Sequence, residues 1–261
     1  MSEQAFDIAR FEAEAKSLGL SFGRPLSWRD ETQSTNDDAL LAAKNGAEHG
    51  AVFGAEAQTR GRGRRGSEWV SAPGAGLWFS VLLRPELQPE QAPALALCAG
   101  LAVRAAVAAR VAATVAVKWP NDVLAGGRKL AGVLVESQIS GAKLGSVIVG
   151  VGINVTQQAF PDGLSQIATS LQLLSANALG RERLLADVLS QLQALLDRLE
   201  ADGMAGIADA LRPHDALLGR RLRIEGVEGC GAGIDDAGRL RLRTDAAELR
   251  PIAAGHVELL D

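Results

Sequence analysis

Apolar side chains return at helical spacing between residues 181 and 200. Leu184, Leu185, Val188, Leu189, Leu192, Leu195, Leu196 and Leu199 fall on one face, which predicts a long amphipathic helix. Residues 4–18 predict a shorter one, with Phe6, Ile8, Phe11 and Leu18 as its apolar members. In "STNDDALLAAKNG", Ser34 or Thr35 can cap a helix whose first turn carries Asp37 and Asp38, and Gly46 can end it. "APALALCAGLAVRAAVAARV" is apolar nearly all round, which predicts a buried helix.

Between these lie shorter runs that read as strands: "GAVFGAEAQ", "LWFSVLLR", "TVAVKW" and "KLGSVIVGVGINV". "NDVLAGGRKLAGVLVES" predicts a β-hairpin turning at Gly126-Gly127, because such turns require positive φ. An irregular stretch then runs to about Thr169. From Pro213 onward the pattern changes to alternation, with Leu240 and Leu242 inward and Arg239, Arg241 and Arg243 outward. A small antiparallel β-domain over 213–261, expected to be a barrel from its short strands, would follow a larger α+β domain over 1–212.

Composition narrows the classes. The chain has 261 residues and a net charge of -4, which opposes general nucleic-acid binding. It has no Tyr, so aliphatic side chains and Ala must fill the core. Two cysteines, Cys98 and Cys230, form no ligand spacing and no disulfide framework, and Cys98 reads as a buried small hydrophobe. The N-terminus lacks the apolar core of a secretory signal, and no uninterrupted apolar run reaches the roughly 18 residues of a membrane span. A cytoplasmic protein is expected. His49, His214 and His256 are scattered, and no metal site is expected from them.

Against that acidic balance stands "QTRGRGRRGSEW". Arg60, Arg62, Arg64 and Arg65 are interleaved with Gly61, Gly63 and Gly66. The glycines fit G-x-G-x-x-G, but a dinucleotide fold needs a helix at the last of them, and "SEWVSAPGAG" follows instead. A solvated basic loop or an RNA patch is the plain alternative. Regular glycines allow the backbone to approach a ligand closely, while arginines offer planar forks to carboxylate or phosphate. Lys118, at a strand end, reads either as a solvated edge lysine or, flanked by Val117 and Trp119, as a partly shielded ammonium that suggests an anionic partner. Gly150 and Gly152 read either as a simple bulge, favoured when they are taken alone, or as a close approach.

Together "STN" (34–36), "EAQTRGRGRRG" (56–66), Trp69, "KWPND" (118–122), "RKLAGVLVE" (128–136) and "GVGINV" (150–155) resemble biotin protein ligase, over some 120 residues in order. The resemblance implies a biotin/lipoate ligase-like mixed sheet with flanking helices, plus a C-terminal SH3-like β-barrel. It implies activation of biotin with ATP and Mg²⁺ to biotinoyl-5'-AMP, then transfer to a lysine of a biotin carboxyl carrier domain of a carboxylase. About 30 residues precede "STN", too few for the winged helix-turn-helix of larger members, so no specific DNA binding is expected.

Roles carried over by the resemblance are these. Lys118 and Arg64 act in catalysis. Ser34, Thr35, Asn36, Gln58, Arg62, Gly63, Arg64 and Lys118 hold biotin. Gly61, Arg62, Arg64, Trp69, Lys118, Asn121 and Asn154 hold the nucleotide. The loop over residues 60–68 is expected to order on ligand binding. Two anions must meet here, and unit charges at ~4 Å interact by about 4 kcal/mol at an effective dielectric of about 20, so cations must be placed in advance. Lipoate–protein ligase, on the same fold, is the nearest rival; a nucleic-acid-binding repressor and a purely binding relative are others. Monomer and homodimer both remain open.

Overall fold

The structure, a computed structural model, describes residues 5–140, 143–174 and 180–260. In chain order its first elements are α1 (Ile8–Ser17), β1 (Leu26–Thr32), α2 (Thr35–Lys44), β2 (Val52–Gln58), β3 (Gly76–Leu83), α3 (Ala92–Ala108), β4 (Val115–Lys118), β5 (Asp122–Ala125), β6 (Arg128–Ser140), β7 (Lys143–Asn154), α4 (Leu171–Leu174), α5 (Arg181–Asp202) and α6 (Ala205–Leu211). Five further strands follow: β8 (Arg221–Ile224), β9 (Val227–Ile234), β10 (Leu240–Arg243), β11 (Leu249–Ile252) and β12 (Val257–Leu259).

The first set builds a seven-stranded mixed sheet in the order β1-β2-β3-β7-β6-β5-β4. β1 and β2 are parallel, joined by α2, and all other neighbours are antiparallel. The second set forms a five-stranded antiparallel sheet, β11-β10-β9-β8-β12.

The period of two in β3, β6 and β7 divides the large sheet into two faces. Leu77, Phe79, Val81 and Leu83 of β3, with Val147, Val149, Val151 and Ile153 of β7, join the main core. α3 packs on this face and α5 packs on α3, its leucines buried as their spacing predicts. One helical stretch among the described residues, Pro89–Ala108, is long and apolar enough to cross a membrane, with mean hydropathy 1.5. It contains Arg104 and is mostly buried as this core helix. Cys98 lies within it, wholly buried, and burial pushes its thiol up to about 12.

The opposite face carries Trp78, Ser80 and Leu82 of β3 opposite Gly152, Gly150 and Ile148 of β7. β6 continues each row with Gly132, Leu134 and Glu136. α2 covers only the end of this face, through Ala39 and Ala43 on Leu82 and Ile148. The remainder is rich in glycine, with Gly132, Gly150 and Gly152 on adjoining strands.

The structure departs from the sequence expectations in several places. β1 was not expected: it is an edge strand, largely polar and exposed, so its alternation is weak. α1 begins at Ile8, which is exposed, while Phe6 precedes the helix and stacks on Trp28 at 3.7 Å between ring centroids; residue 4, the expected start, lies outside the described residues. Ser34 occupies the N-cap of α2 but makes no side-chain cap hydrogen bond. Gln58 replaces it, its Oε1 accepting the Thr35 N–H at 2.9 Å. Gly150 and Gly152 sit in unbroken register rather than in a bulge. The Gly126-Gly127 turn is as expected, both residues at positive φ.

Candidate active site

A cavity of about 970 Å³ opens on the glycine-rich face, within the range of ligand sites. Its deep polar end is built where α2 begins. Thr35 Oγ1 and Thr35 N both donate to Gln58 Oε1, at 3.2 and 2.9 Å, and Gln58 Nε2 donates to Ser71 Oγ at 2.7 Å. Ser80 Oγ donates to Asn36 Oδ1 at 2.6 Å and lies 2.8 Å from Thr35 Oγ1. Asn36 Nδ2 donates to Glu136 Oε2 at 2.6 Å. Asn36 is thereby pressed onto the sheet over Gly150, where a Cβ would stand 2.2 Å from its Oδ1. Ser34, Thr35, Asn36 and Gln58 all line the cavity.

Trp69 forms the floor. Its indole lies on the paired Gly132 and Gly152, whose Cβ atoms would approach it to 2.8 and 2.6 Å. Trp78 meets it edge-on, with centroids 6.2 Å apart. Lys129 Nζ stands over the ring at 5.2 Å, and Trp69 Nε1 is buried without a hydrogen-bond partner.

The arginine loop is a distorted hairpin between β2 and β3. Gln58 pairs with Ser71 and Arg62 with Glu68. Gly63 N donates to Ser67 O at 2.7 Å around a single 3₁₀ turn, Arg64–Gly66, with Arg65 at φ 56°. The four arginines diverge. Arg60 is exposed and away from the cavity lining. Arg62 forms a bidentate pair with Asp37, both bonds 2.7 Å, and reaches Glu136 at 3.3 Å. The hydrogen bond to Arg62 holds the Asp37 carboxyl below its ordinary range and, in return, raises the guanidinium pKa. Arg65 pairs with Glu225 of the β8–β9 turn at 2.8 Å. Arg64 has no carboxylate partner among the described residues; it donates only to Asn121 Oδ1, at 3.5 Å. Burial, with Arg65 adding and Asp122 opposing, lowers its pKa.

Lys118 ends β4, directly opposite Asp122 across a turn that contains the cis Trp119-Pro120 bond. It too has no ion pair among the described residues. Its Nζ donates to Val257 O of β12 at 3.2 Å. Burial lowers its pKa, Asp122 opposes, and Lys129 adds to the lowering. Asp122 itself contacts Lys129 Nζ at 2.7 Å, yet its Oδ1 lacks hydrogen-bond geometry.

The sequence model of the Biotin/lipoate A/B protein ligase family matches residues 28–154. The biotin--[acetyl-CoA-carboxylase] ligase of Mycobacterium tuberculosis is 40% identical over 235 residues, covering 84% of this chain and 85% of that protein. The chain belongs to this ligase family. A bifunctional ligase/repressor of Bacillus subtilis is 33% identical over 243 residues, covering 91% of this chain and 74% of its own length. The solved biotin protein ligase of Aquifex aeolicus in complex with biotin and ATP aligns with a TM-score of 0.76 at 28% identity, covering 90% of this chain and 97% of that one.

Within this ligase fold, Gly63, Arg62, Arg64, Trp69, Lys118 and Asn121 line the same cavity as the polar end. Two residues expected at the nucleotide do not line it. Gly61 lies behind the loop, 2.4 Å from Trp69 O at its would-be Cβ. Asn154 is buried, its Nδ2 donating to Thr169 O at 3.0 Å and its Oδ1 accepting from Gln157. It anchors the irregular segment after β7 because both ends of its amide are engaged. That segment instead offers Gln166 and Ile167 to the cavity. Sequence reasoning also missed Asp37, Glu136 and Lys129 as site residues. Alternation could have found Glu136: Gly132 and Glu136 are four residues apart on one strand, hence on one face.

Proposed function

We propose that the chain activates biotin with ATP to biotinoyl-5'-AMP and transfers biotin to a lysine of a carboxylase's biotin carboxyl carrier domain. One observation carries this reading. Arg64 and Lys118, two cations without carboxylate partners among the described residues, share a cavity with the polar recess of Ser34, Thr35, Asn36 and Gln58. The relatives named as biotin ligases supply the substrate class.

The recess fits the ureido ring of biotin, a neutral group with one acceptor oxygen and two N–H donors. The acid end then extends over Trp69 toward Arg64 and Lys118. Both carry a charge that burial disfavours, so an arriving anion relieves that cost. The carboxylate oxygen attacks the α-phosphorus, the bond to the bridging oxygen breaks, and pyrophosphate leaves. Lys118 stabilises the charge on the α-phosphate as it develops. In the second half, the acceptor lysine attacks the mixed anhydride and AMP departs. No nucleophile from this chain is needed; the loop's task is to keep water out and orient the partners.

Magnesium fits as a companion of the triphosphate rather than a resident ion. No cluster of three His, Cys, Asp or Glu side chains able to hold a metal exists among the described residues. Asp122, whose Oδ1 lies 2.7 Å from Lys129 Nζ, and Asn121 beside it line the cavity and are the oxygen donors that would hold it. The ion would neutralise phosphate charge.

The domain division at 212/213 and an SH3-like barrel for the last five strands belong to the same reading. The separate sheet supports them, together with the bridge from Leu218 back to Gly231. Mass spectrometry after mixing protein, ATP and either biotin or lipoate tests the activity. The biotinoyl adenylate and its ATP-dependent transfer to a carrier domain are expected. A lipoyl adenylate alone would make lipoate the substrate, and site-selective gel shifts with steep salt dependence would revive nucleic-acid binding.

A further inference from the structure

Three consecutive residues at the end of β4 are each held by a different part of the C-terminal sheet or its connector. Val117 O accepts from Ala216 N at 2.9 Å. Lys118 Nζ donates to Val257 O at 3.2 Å. Trp119 Nε1 donates to Gly238 O at 3.0 Å, in a buried setting. The last contact is fixed from behind as well. Gly238 has φ 76° in the β9–β10 turn, and a Cβ there would stand 3.2 Å from Ala94 N. The turn therefore sits on the first turn of α3, where a side chain at this position would be in tight contact with the α3 backbone and strained by the positive φ.

The chemistry of these contacts differs from that of the Arg62 clamp. Asp37 and Glu136 fix Arg62 by neutralising it. A main-chain carbonyl fixes Lys118 without cancelling its charge. An ammonium on a flexible four-carbon stem needs an external hold to meet a carboxylate and a phosphate at one point. Here the hold comes from β12, which pairs with β8 in the same five-stranded sheet whose β9–β10 turn takes the Trp119 hydrogen bond.

We infer that Trp119 is a positioning residue for adenylation: its indole N–H locks the C-terminal sheet onto the β4–β5 turn, so that Val257 O presents the Lys118 ammonium to the cavity still charged. This rests on the proposed biotin activation. Two variants test it in the full chain. Trp119→Phe keeps the aromatic bulk and removes the hydrogen bond. Gly238→Ala pushes the same turn away from α3 without touching the cavity. Biotin affinity, kcat and KM from pyrophosphate release, and thermal melting are measured for each.

The expected result is a kcat lower by about tenfold or more in both variants, with biotin affinity within about twofold of wild type. A purely structural role predicts a lower melting temperature with kcat per folded molecule unchanged. That result, or biotin affinity falling in step with kcat, overturns the inference. If Trp119→Phe does not fold, Gly238→Ala decides alone. A wild-type chain that releases no pyrophosphate with biotin and ATP defeats the activity reading and this inference with it. An active wild type with unchanged variants defeats only the inference.

Discussion

At Lys118, burial and the nearby Lys129 lower the ammonium's pKa, and its Nζ donates a hydrogen bond to a neutral carbonyl. The charged form is the one that stabilises the transition state. The alkaline limb of kcat/KM for adenylation is therefore expected below the ~10.4 of a free lysine, with activity falling as pH rises through it. A limb at or above that value counts against Lys118 as the titrating group. Lys118→Ala is expected to slow adenylate formation by roughly 10²–10³-fold, the usual loss for one preorganised electrostatic group, while calorimetry still shows biotin binding. Arg64 differs from Arg62 in having no carboxylate partner among the described residues. Arg64→Gly is expected to loosen the hold on biotinoyl-5'-AMP, so that lysines of a bystander protein become labelled. A blot showing carrier-only labelling by this variant would remove Arg64 from that role.

Among the elements, β6 and β7 shape the cavity by what they lack. Gly132 and Gly152 form one cross-strand pair, and the indole of Trp69 lies directly on them. Gly152→Val is expected to lift that ring, reducing adenylate formation at least about tenfold, with a melting temperature changed by only a few degrees because the glycine faces the cavity rather than the core. The arginine loop, by contrast, is largely exposed from Arg65 to Glu68. Trypsin is expected to cut there rapidly without ligand and slowly with biotin and ATP; equal rates would argue against ordering.

Much of this was legible in the residues. The leucines of α5 and the Gly-Gly turn before β6 announce themselves because local periodicity and positive φ determine them. The cations of "GRGRRG" and "KWPND", Arg62, Arg64, Arg65 and Lys118, line one cavity. What stayed hidden depends on long-range partners. Nothing near Asp37 in sequence says that it binds Arg62 rather than supporting the start of α2. Nor does anything near Asn154 say that Thr169 will take its amide. β1 was missed because an edge strand needs few buried side chains.

Across the whole molecule, Glu56 ties the N-terminal segment, the sheet and α5 together. It accepts from Phe6 N at 2.7 Å and Trp28 Nε1 at 3.1 Å, and pairs with Arg181, which is 7% exposed, at 2.6 Å. Burial raises its carboxyl's pKa, but the hydrogen bonds from Arg181, Phe6 and Trp28 outweigh it and leave it below the ordinary value. A depressed carboxylate stabilises the fold above its unfolded pKa, and that contribution is lost as pH falls through the folded value. Stability is thus expected to drop below about pH 4.3 partly through this group. Arg181→Met leaves the carboxylate without its charged partner and is expected to cost about 3–5 kcal/mol in urea unfolding, against no change if the pair is dispensable.

The floor residue also makes the molecule optically convenient. With no tyrosine and four tryptophans in the chain, near-ultraviolet emission comes from indoles alone, and two of the four, Trp69 and Trp119, border the cavity. Titration with either substrate can therefore be followed by intrinsic fluorescence, and replacing Trp69 or Trp119 one at a time separates a signal from the sheet side of the cavity from one at the β4–β5 turn.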